Sequence, residues 1–64
     1  MNGIYMLDNE RIGTVRDFKP SEWFAHVTLD SMPEMAEFGM LDPQCEVIAD
    51  DGKCYKDPHR SKHA

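Results

Sequence analysis

Positive charge is missing from the middle of this chain: across residues 20–52 there is neither lysine nor arginine. Eight acidic residues occupy the same stretch, namely Glu22, Asp30, Glu34, Glu37, Asp42, Glu46, Asp50 and Asp51. The chain of 64 residues has a formal net charge of −5. Proteins bind DNA and RNA largely by neutralising phosphates with Lys and Arg, so this anionic block disfavours direct binding of nucleic acid.

Long apolar segments are also missing. No apolar run approaches the ~18 residues that a membrane span requires. The start of the chain, MNGIYMLDNE, lacks the basic region and the apolar stretch of a secretory signal peptide. We therefore expect a cytoplasmic protein without a membrane partner. In that compartment the two cysteines stay reduced, which disfavours a structural disulfide.

The chain has none of the short motifs that mark common catalytic sites. It contains no Gly-rich phosphate loop, no G-x-S-x-G and no HExxH. His26 and Asp30 can share one face of a strand, but no nucleophile is placed to join them. A chain of this size buries only ~60% of its unfolded surface, so a deep catalytic cleft is not expected. The sequence predicts a protein that is not an enzyme and needs no cofactor.

Alternation of apolar and polar residues predicts strands in the first half of the chain. GIYMLDNERIGTVRDF reads as a hairpin with turn residues at Asp8, Asn9 and Glu10, and Gly13 suggests a bulge or a close backbone approach. EWFAHVTLD reads as a strand with two distinct faces. The core face of that strand is predicted to carry Trp23, Ala25, Val27 and Leu29, and the other face Phe24, His26, Thr28 and Asp30.

The segment SMPEMAEFG, residues 31–39, predicts a short helix. Ser31 and Glu34 fit a capping box, and Gly39 is a natural stop. Met35 and Phe38 are three residues apart and would share the helix face that packs on the sheet. A helix this short is not stable alone, so it would have to pack on the sheet.

CEVIADDGKCYK predicts a second hairpin, with a two-residue turn at Asp51 and Gly52. That turn would pair Ala49 with Cys54 and place both cysteines on the buried face with Val47. The predicted order is β-β-β-α-β-β, an α+β fold with a small antiparallel sheet or partial barrel and one short helix. Residues 1–57 would form a single compact domain, and residues 58–64 a flexible basic tail.

Four residues near the end of the chain have zinc-ligand chemistry. Cys45, Cys54, His59 and His63 follow the spacing C-x8-C-x4-H-x3-H, which resembles that of the CCCH zinc fingers that bind RNA. In the predicted hairpin the two cysteines lie about 13 Å apart along the ladder, whereas zinc needs each thiolate at ~2.3 Å. We therefore predict no metal. A zinc-stabilised nucleic-acid-binding module is the alternative.

In size, acidity and lack of enzymatic motifs, the whole chain resembles small phage-encoded inhibitors of host defence, such as anti-CRISPR and anti-restriction proteins. That resemblance implies an inhibitor in the host cytoplasm that mimics nucleic acid. It would occupy a basic nucleic-acid groove of a nuclease or CRISPR complex through the eight acidic residues. A second alternative is a small structural or assembly protein that binds through Phe24, Met6 and Met40. The sequence does not indicate whether the protein is a monomer or a dimer.

The hairpin and the metal site make opposite predictions for chelation. The purified protein is expected to fold without zinc, so EDTA should leave its melting temperature unchanged in thermal circular dichroism. Stoichiometric zinc by elemental analysis, together with unfolding on chelation, would instead support the zinc module.

Overall fold

The computed structural model describes residues 1–58 as one antiparallel sheet of six strands, in the spatial order β4-β3-β2-β1-β5-β6. The strands are β1 Gly3–Leu7, β2 Glu10–Lys19, β3 Phe24–Leu29, β4 Ala36–Met40, β5 Glu46–Ala49 and β6 Cys54–Lys56. No helix occurs in these residues. The fold is therefore all-β, and the predicted α+β class is wrong.

The predicted first hairpin is confirmed. Asp8 and Asn9 have φ angles of 52° and 65°, as the two central residues of a type I′ turn require. The register shifts at Tyr5, which lies opposite Gly13. A Cβ atom on Gly13 would collide with the carbonyl oxygen of Thr28 and lie 3.0 Å from Leu29 Cα. The predicted close approach at this glycine is therefore found, and it lets β3 pack tightly against β2.

The predicted faces of β3 are also confirmed. The side chains of Trp23 and Ala25 are 0% exposed, and Val27 and Leu29 are half-buried on the same side. Trp23 itself lies in the turn that precedes the strand and has a φ angle of 55°. A bulky residue rarely adopts this conformation, so the burial of the indole has to outweigh the backbone strain.

The predicted helix over residues 31–39 is wrong. Residues 31–34 form turns and a bend, and Ala36–Met40 pairs with β3 from Thr28↔Ala36 to Phe24↔Met40. A short helix would gain little from its own hydrogen bonds, and Gly39 lowers helix propensity further. Pairing with β3 instead satisfies one side of the backbone and places Phe38 beside His26. The helix signals, a capping pattern and a three-residue spacing, come from neighbouring residues. The pairing with β3 that overrides them joins segments that are farther apart in the sequence.

The second hairpin is confirmed, but its predicted register is off by one residue. Its loop has three residues, Asp50, Asp51 and Gly52, since the amide of Ala49 donates to the carbonyl of Lys53 at 2.9 Å. Ile48 therefore lies opposite Cys54. A one-residue shift moves a side chain to the other face of the sheet. The prediction that both cysteines are buried is wrong for Cys54, which is exposed, and correct for Cys45.

The core lies on one side of a strongly curved sheet. Phe18 of β2 and Tyr55 of β6 have ring centroids 5.7 Å apart, although β1 and β5 lie between their strands. Neighbouring strands are about 4.8 Å apart, so a flat sheet could not bring these rings into contact. The concave side buries a set of mostly apolar residues, namely Tyr5, Val15, Phe18, Trp23, Ala25, Leu41, Cys45 and Val47.

Gly52 gives a direct test of the second hairpin. Its φ angle is 87°, so Gly52→Val should lower the free energy of unfolding by ~1 kcal/mol or more, because a β-branched residue resists positive φ. Gly52→Asn is the control, since asparagine tolerates this region better. Urea unfolding of the three proteins measures the difference. Equal stability of the valine variant and the wild type would contradict the observed turn.

Candidate functional site

Three hydrogen bonds fix the connection between β4 and β5 across the concave side of the sheet. The amide of Leu41 donates to the carbonyl of Trp23 at 2.8 Å. The indole N–H of Trp23 donates to the carbonyl of Asp42 at 3.0 Å, and the Asp42 amide donates to the hydroxyl of Tyr5 at 2.9 Å. We call this group of Tyr5, Trp23, Leu41 and Asp42 the clamp. It closes the core over β1, β2 and β5.

Burial keeps the Tyr5 hydroxyl of the clamp and the neighbouring Cys45 thiol in their neutral forms. Burial raises the pKa of the Tyr5 hydroxyl well above its ordinary value. Burial also raises the pKa of the Cys45 thiol, although a hydrogen bond with Tyr5 acts in the opposite direction. A reactive cysteine needs a lowered pKa and access to solvent. Cys45 has neither, so its role is structural.

Beyond the clamp, the concave side of β3 and β4 is open and forms a pocket of about 460 Å³. Val27, Leu29 and Leu41 give it an apolar lining, and Met32 and Met35 extend that lining from the connection before β4. Glu37 and Asp42 bring carboxylates to the same pocket. The arrangement suits an apolar group that also carries positive charge.

β4 is the edge of the sheet on this side, and half of its backbone points away from the protein. Trp23 and Leu41 continue the β3–β4 register and are hydrogen-bonded to each other. Hydrogen-bonded pairs alternate along an antiparallel ladder. The backbone groups of Glu37 and Gly39 therefore face β3, and those of Ala36, Phe38 and Met40 face outward. We call this outward row of backbone groups the β4 edge.

The convex side of β4 exposes large apolar side chains. Phe38 is 60% exposed and Met40 is 69% exposed. The Phe38 ring lies edge-on against Phe24, with centroids 4.5 Å apart, and 4.0 Å from the His26 ring. Phe24, a predicted contact residue of the assembly-protein alternative, thus supports the exposed Phe38 ring. These contacts hold Phe38 in place without burying it.

The eight predicted partner-binding residues do not form one continuous surface. Antiparallel pairing places Asp30, Glu34, Glu37 and Glu46 towards the end of the sheet that holds the Asp8–Asn9 turn. Glu22, Asp50 and Asp51 lie at the opposite end. Asp42 lies between the two groups, in the connection that crosses the concave side.

Two of the eight acidic residues form ion pairs with basic residues from outside residues 20–52. Asp30 accepts from Arg11 at 3.0 Å, and Glu46 lies 3.9 Å from the ammonium of Lys56. Both pairs are partly exposed, so their contribution to stability is small. Within residues 1–58, Glu34 and Glu37 have no ion-pair partner. Glu37 therefore brings an uncompensated charge to the lining of the pocket.

The candidate zinc ligands are divided by the sheet. Cys45 is buried on the concave side, and Cys54 is exposed on the convex side, 3.7 Å from a carboxylate oxygen of Glu46. His59 and His63 lie outside the described residues, as does the predicted basic tail apart from Pro58. No group of three metal-binding side chains is found among residues 1–58. The zinc module stays the alternative to the predicted absence of a metal.

Neither the pocket nor the β4 edge was predicted, because residues 31–39 carry the local signals of a helix. One signal could have found the edge: in AEFGM, residues 36–40, a larger apolar side chain recurs at every second position, at Phe38 and Met40. That spacing has the period of a strand. Nothing in the local sequence indicates that β4 has one neighbouring strand among residues 1–58 instead of two.

No family model matches this chain, and no similar protein was found among curated proteins or solved structures. Residues 1–58 contain no helix long and apolar enough to cross a membrane. The function is therefore inferred from the geometry and charge of the protein's own surface.

The clamp can be tested with matched substitutions of two tyrosines. Tyr5→Phe should lower the free energy of unfolding by about 1–3 kcal/mol, because the partly buried Asp42 amide loses its acceptor. Tyr55→Phe is the control, since the Tyr55 hydroxyl donates to the exposed carboxylate of Asp51 at 3.3 Å. Its loss should cost less than ~0.5 kcal/mol in urea unfolding. Equal losses for the two variants would show that the clamp does not stabilise the fold.

Proposed function

We propose that this protein is a small, acidic, non-enzymatic binding module that attaches to a basic protein through the β4 side of its sheet. The observation that carries the proposal is the exposure of Phe38 and Met40 on an edge strand beside an apolar pocket. Both sides of one strand are thus available for contact.

Exposed edge strands are a hazard that proteins usually manage. Lysine, proline, bulges and very short strands prevent unwanted pairing. β4 has five residues and contains neither lysine nor proline. Phe38 and Met40 stay largely exposed, so these side chains contribute little burial to the stability of the fold. A binding role explains why such an edge is present.

The charge near β4 indicates the kind of partner. Glu34 and Glu37 lie in or just before the strand, and no lysine or arginine occurs in residues 20–52. A basic surface on the partner would relieve the repulsion among these carboxylates and speed the encounter. The acidic block also makes a nucleic acid an unfavourable partner.

The nucleic-acid-mimicking inhibitor is a narrower form of this function and stays a prediction. A mimic needs carboxylates arranged along a continuous surface that matches a phosphate backbone, and here the acids divide between two ends of the sheet. The distribution favours local recognition at β4. Competition by DNA for the same partner distinguishes occupation of a nucleic-acid groove from attachment elsewhere.

The assembly-protein alternative shares one feature with the proposal, which is binding through exposed apolar residues such as Met40. Met40 is the most exposed of its three predicted contact residues, whereas Phe24 and Met6 are half-buried. An apolar partner without positive charge would bind with little dependence on salt. The salt dependence of binding therefore separates this alternative from a basic partner.

Two double variants with the same change in net charge test whether the location of the acids matters. Glu34→Gln/Glu37→Gln removes charge beside β4, and Asp50→Asn/Asp51→Asn removes it at the far hairpin. We expect the first variant to lose capture of a basic protein from lysate, and the second to retain it. Capture by the wild type should weaken as salt rises from about 0.05 M to about 0.5 M, because exposed charges are screened.

Both variants should keep the wild-type melting temperature, since surface changes usually alter stability by less than ~0.5 kcal/mol. Equal loss of capture by the two variants would show that the whole acidic set acts together, as a nucleic-acid mimic requires. If the capture of basic protein is unchanged by both double variants and by salt, the acidic residues have no role in binding.

A further inference from the structure

We propose that β4 binds an extended segment of its partner as an additional strand, and that this segment alternates cationic and apolar residues. The inference rests on the proposed function and specifies its partner. Three features support it: the outward backbone groups of β4, the apolar pocket with the Glu37 carboxylate on its concave side and the apolar side chains on its convex side.

The backbone provides the first feature. The N–H and C=O groups of Ala36, Phe38 and Met40 point away from β3, as the alternation of the ladder requires. Within residues 1–58, none of these three residues takes part in the backbone hydrogen bonds of the turns and loops. Addition of a strand at such an edge supplies main-chain hydrogen bonds, while side-chain pockets determine specificity.

The concave side determines one set of positions in the added strand. A side chain that projects to this side enters the pocket beside Glu37, over the apolar surface of Val27, Leu29 and Leu41. Lysine and arginine suit it, because their stems cover apolar surface while their charged ends stay in water. Met32 and Met35 at the rim can adapt to either shape. A charge-assisted bond to Glu37 then fixes the cation.

The convex side determines the alternate positions. Side chains of an added strand project to opposite faces in turn, so the neighbours of each cation lie beside Phe38 and Met40. Those two residues are exposed and apolar. Apolar side chains of the partner would cover them, and the Phe38 ring is already held by Phe24 and His26. The two faces together select a strand with one basic and one apolar side.

A second copy of this chain is the competing occupant. Antiparallel pairing of two β4 strands centred on Phe38 would set Ala36 against Met40 and Glu37 against Gly39. It would also make the two Glu37 carboxylates diagonal neighbours, about 7–8 Å apart between strand positions. Each chain has a net charge of −5. Charge complementarity therefore favours a basic strand over a copy of the same acidic chain.

The probe is a fluorescein-labelled heptapeptide that alternates lysine and leucine, with four lysines in the sequence KLKLKLK. The control peptide has the same composition in blocks, KKKKLLL, and so cannot present one basic and one apolar side. Fluorescence anisotropy measures the binding of both peptides to the full chain. We expect the alternating peptide to bind about tenfold more tightly than the block peptide, and more weakly at high salt.

Backbone pairing is tested at Ala36, whose N–H faces outward. Ala36→Pro removes that donor and leaves the bonds of Glu37 and Gly39 to β3 in place, as proline at a sheet edge allows. Ala36→Ser is the matched control because it keeps the N–H. We expect the proline variant to bind the alternating peptide about tenfold less tightly and the serine variant to match the wild type. If Ala36→Pro lowers the melting temperature, the same comparison is made between Met40→Pro and Met40→Ala.

The strand-addition proposal would be overturned if the two peptides bound equally well. It would also be overturned if Ala36→Pro bound the alternating peptide as tightly as Ala36→Ser, or Met40→Pro as tightly as Met40→Ala. If protein capture still depends on Glu34 and Glu37 in that case, the proposed function stands and only its mode is wrong. If the peptide results are as expected but no protein capture depends on these acids, the proposed function fails instead. A dimer that strengthens with salt and is lost in Ala36→Pro by sedimentation would show that a second copy occupies the edge.

Discussion

The burial of Trp23 is the interaction on which the rest of this structure depends. A single sheet can form a core only by curving round its own side chains, and the indole lies where β2 turns into β3, edge-on to Phe18 with ring centroids 5.6 Å apart. A buried indole N–H needs an acceptor. The carbonyl of Asp42 supplies it at 3.0 Å and so draws the β4–β5 connection across the concave side. The curvature of the sheet, the clamp and the position of the β4–β5 connection thus all depend on the buried indole of Trp23.

The same arrangement leaves β4 and the concave surface beside it uncovered. The connection of residues 41–45 covers the concave surface near Tyr5 and Val47 and then enters β5. Within residues 1–58, no further element lies over Val27, Leu29 and the concave side of β4. The pocket and the exposed strand are therefore the uncovered half of a sheet whose other half forms the core. In so small a protein, the surface available for binding is the part of the sheet that the fold cannot cover.

Sequence patterns predicted the elements whose signals are local. The type I′ turn at Asp8 and Asn9 and the two faces of β3 follow from residue types and a period of two. The failures involve information that is not local. A capping pattern at Ser31 and Glu34 cannot show that β3 offers a free side for pairing.

The second hairpin and the acidic residues failed for related reasons. One extra loop residue before Gly52 changed the face on which Cys54 lies, because turn length sets register. The acidic block could be read from the sequence, but its division between two ends of the sheet follows from the antiparallel order of the strands. The pocket beside Glu37 depends on the same order, so no segment of the sequence indicates it alone.

The two edges of the sheet are unequal, and that inequality limits how large an assembly can become. β6, at the far edge, has three residues, and its Lys56 is close to Glu46. Fibres grow when each subunit offers two open edges that can join head to tail. Within residues 1–58, the short β6 edge with its ion pair does not match the apolar β4 edge, so the two edges do not favour head-to-tail joining. The strand addition proposed at β4 would therefore take up one partner strand per chain, and the exposed apolar edge would not make the protein a seed for polymerisation.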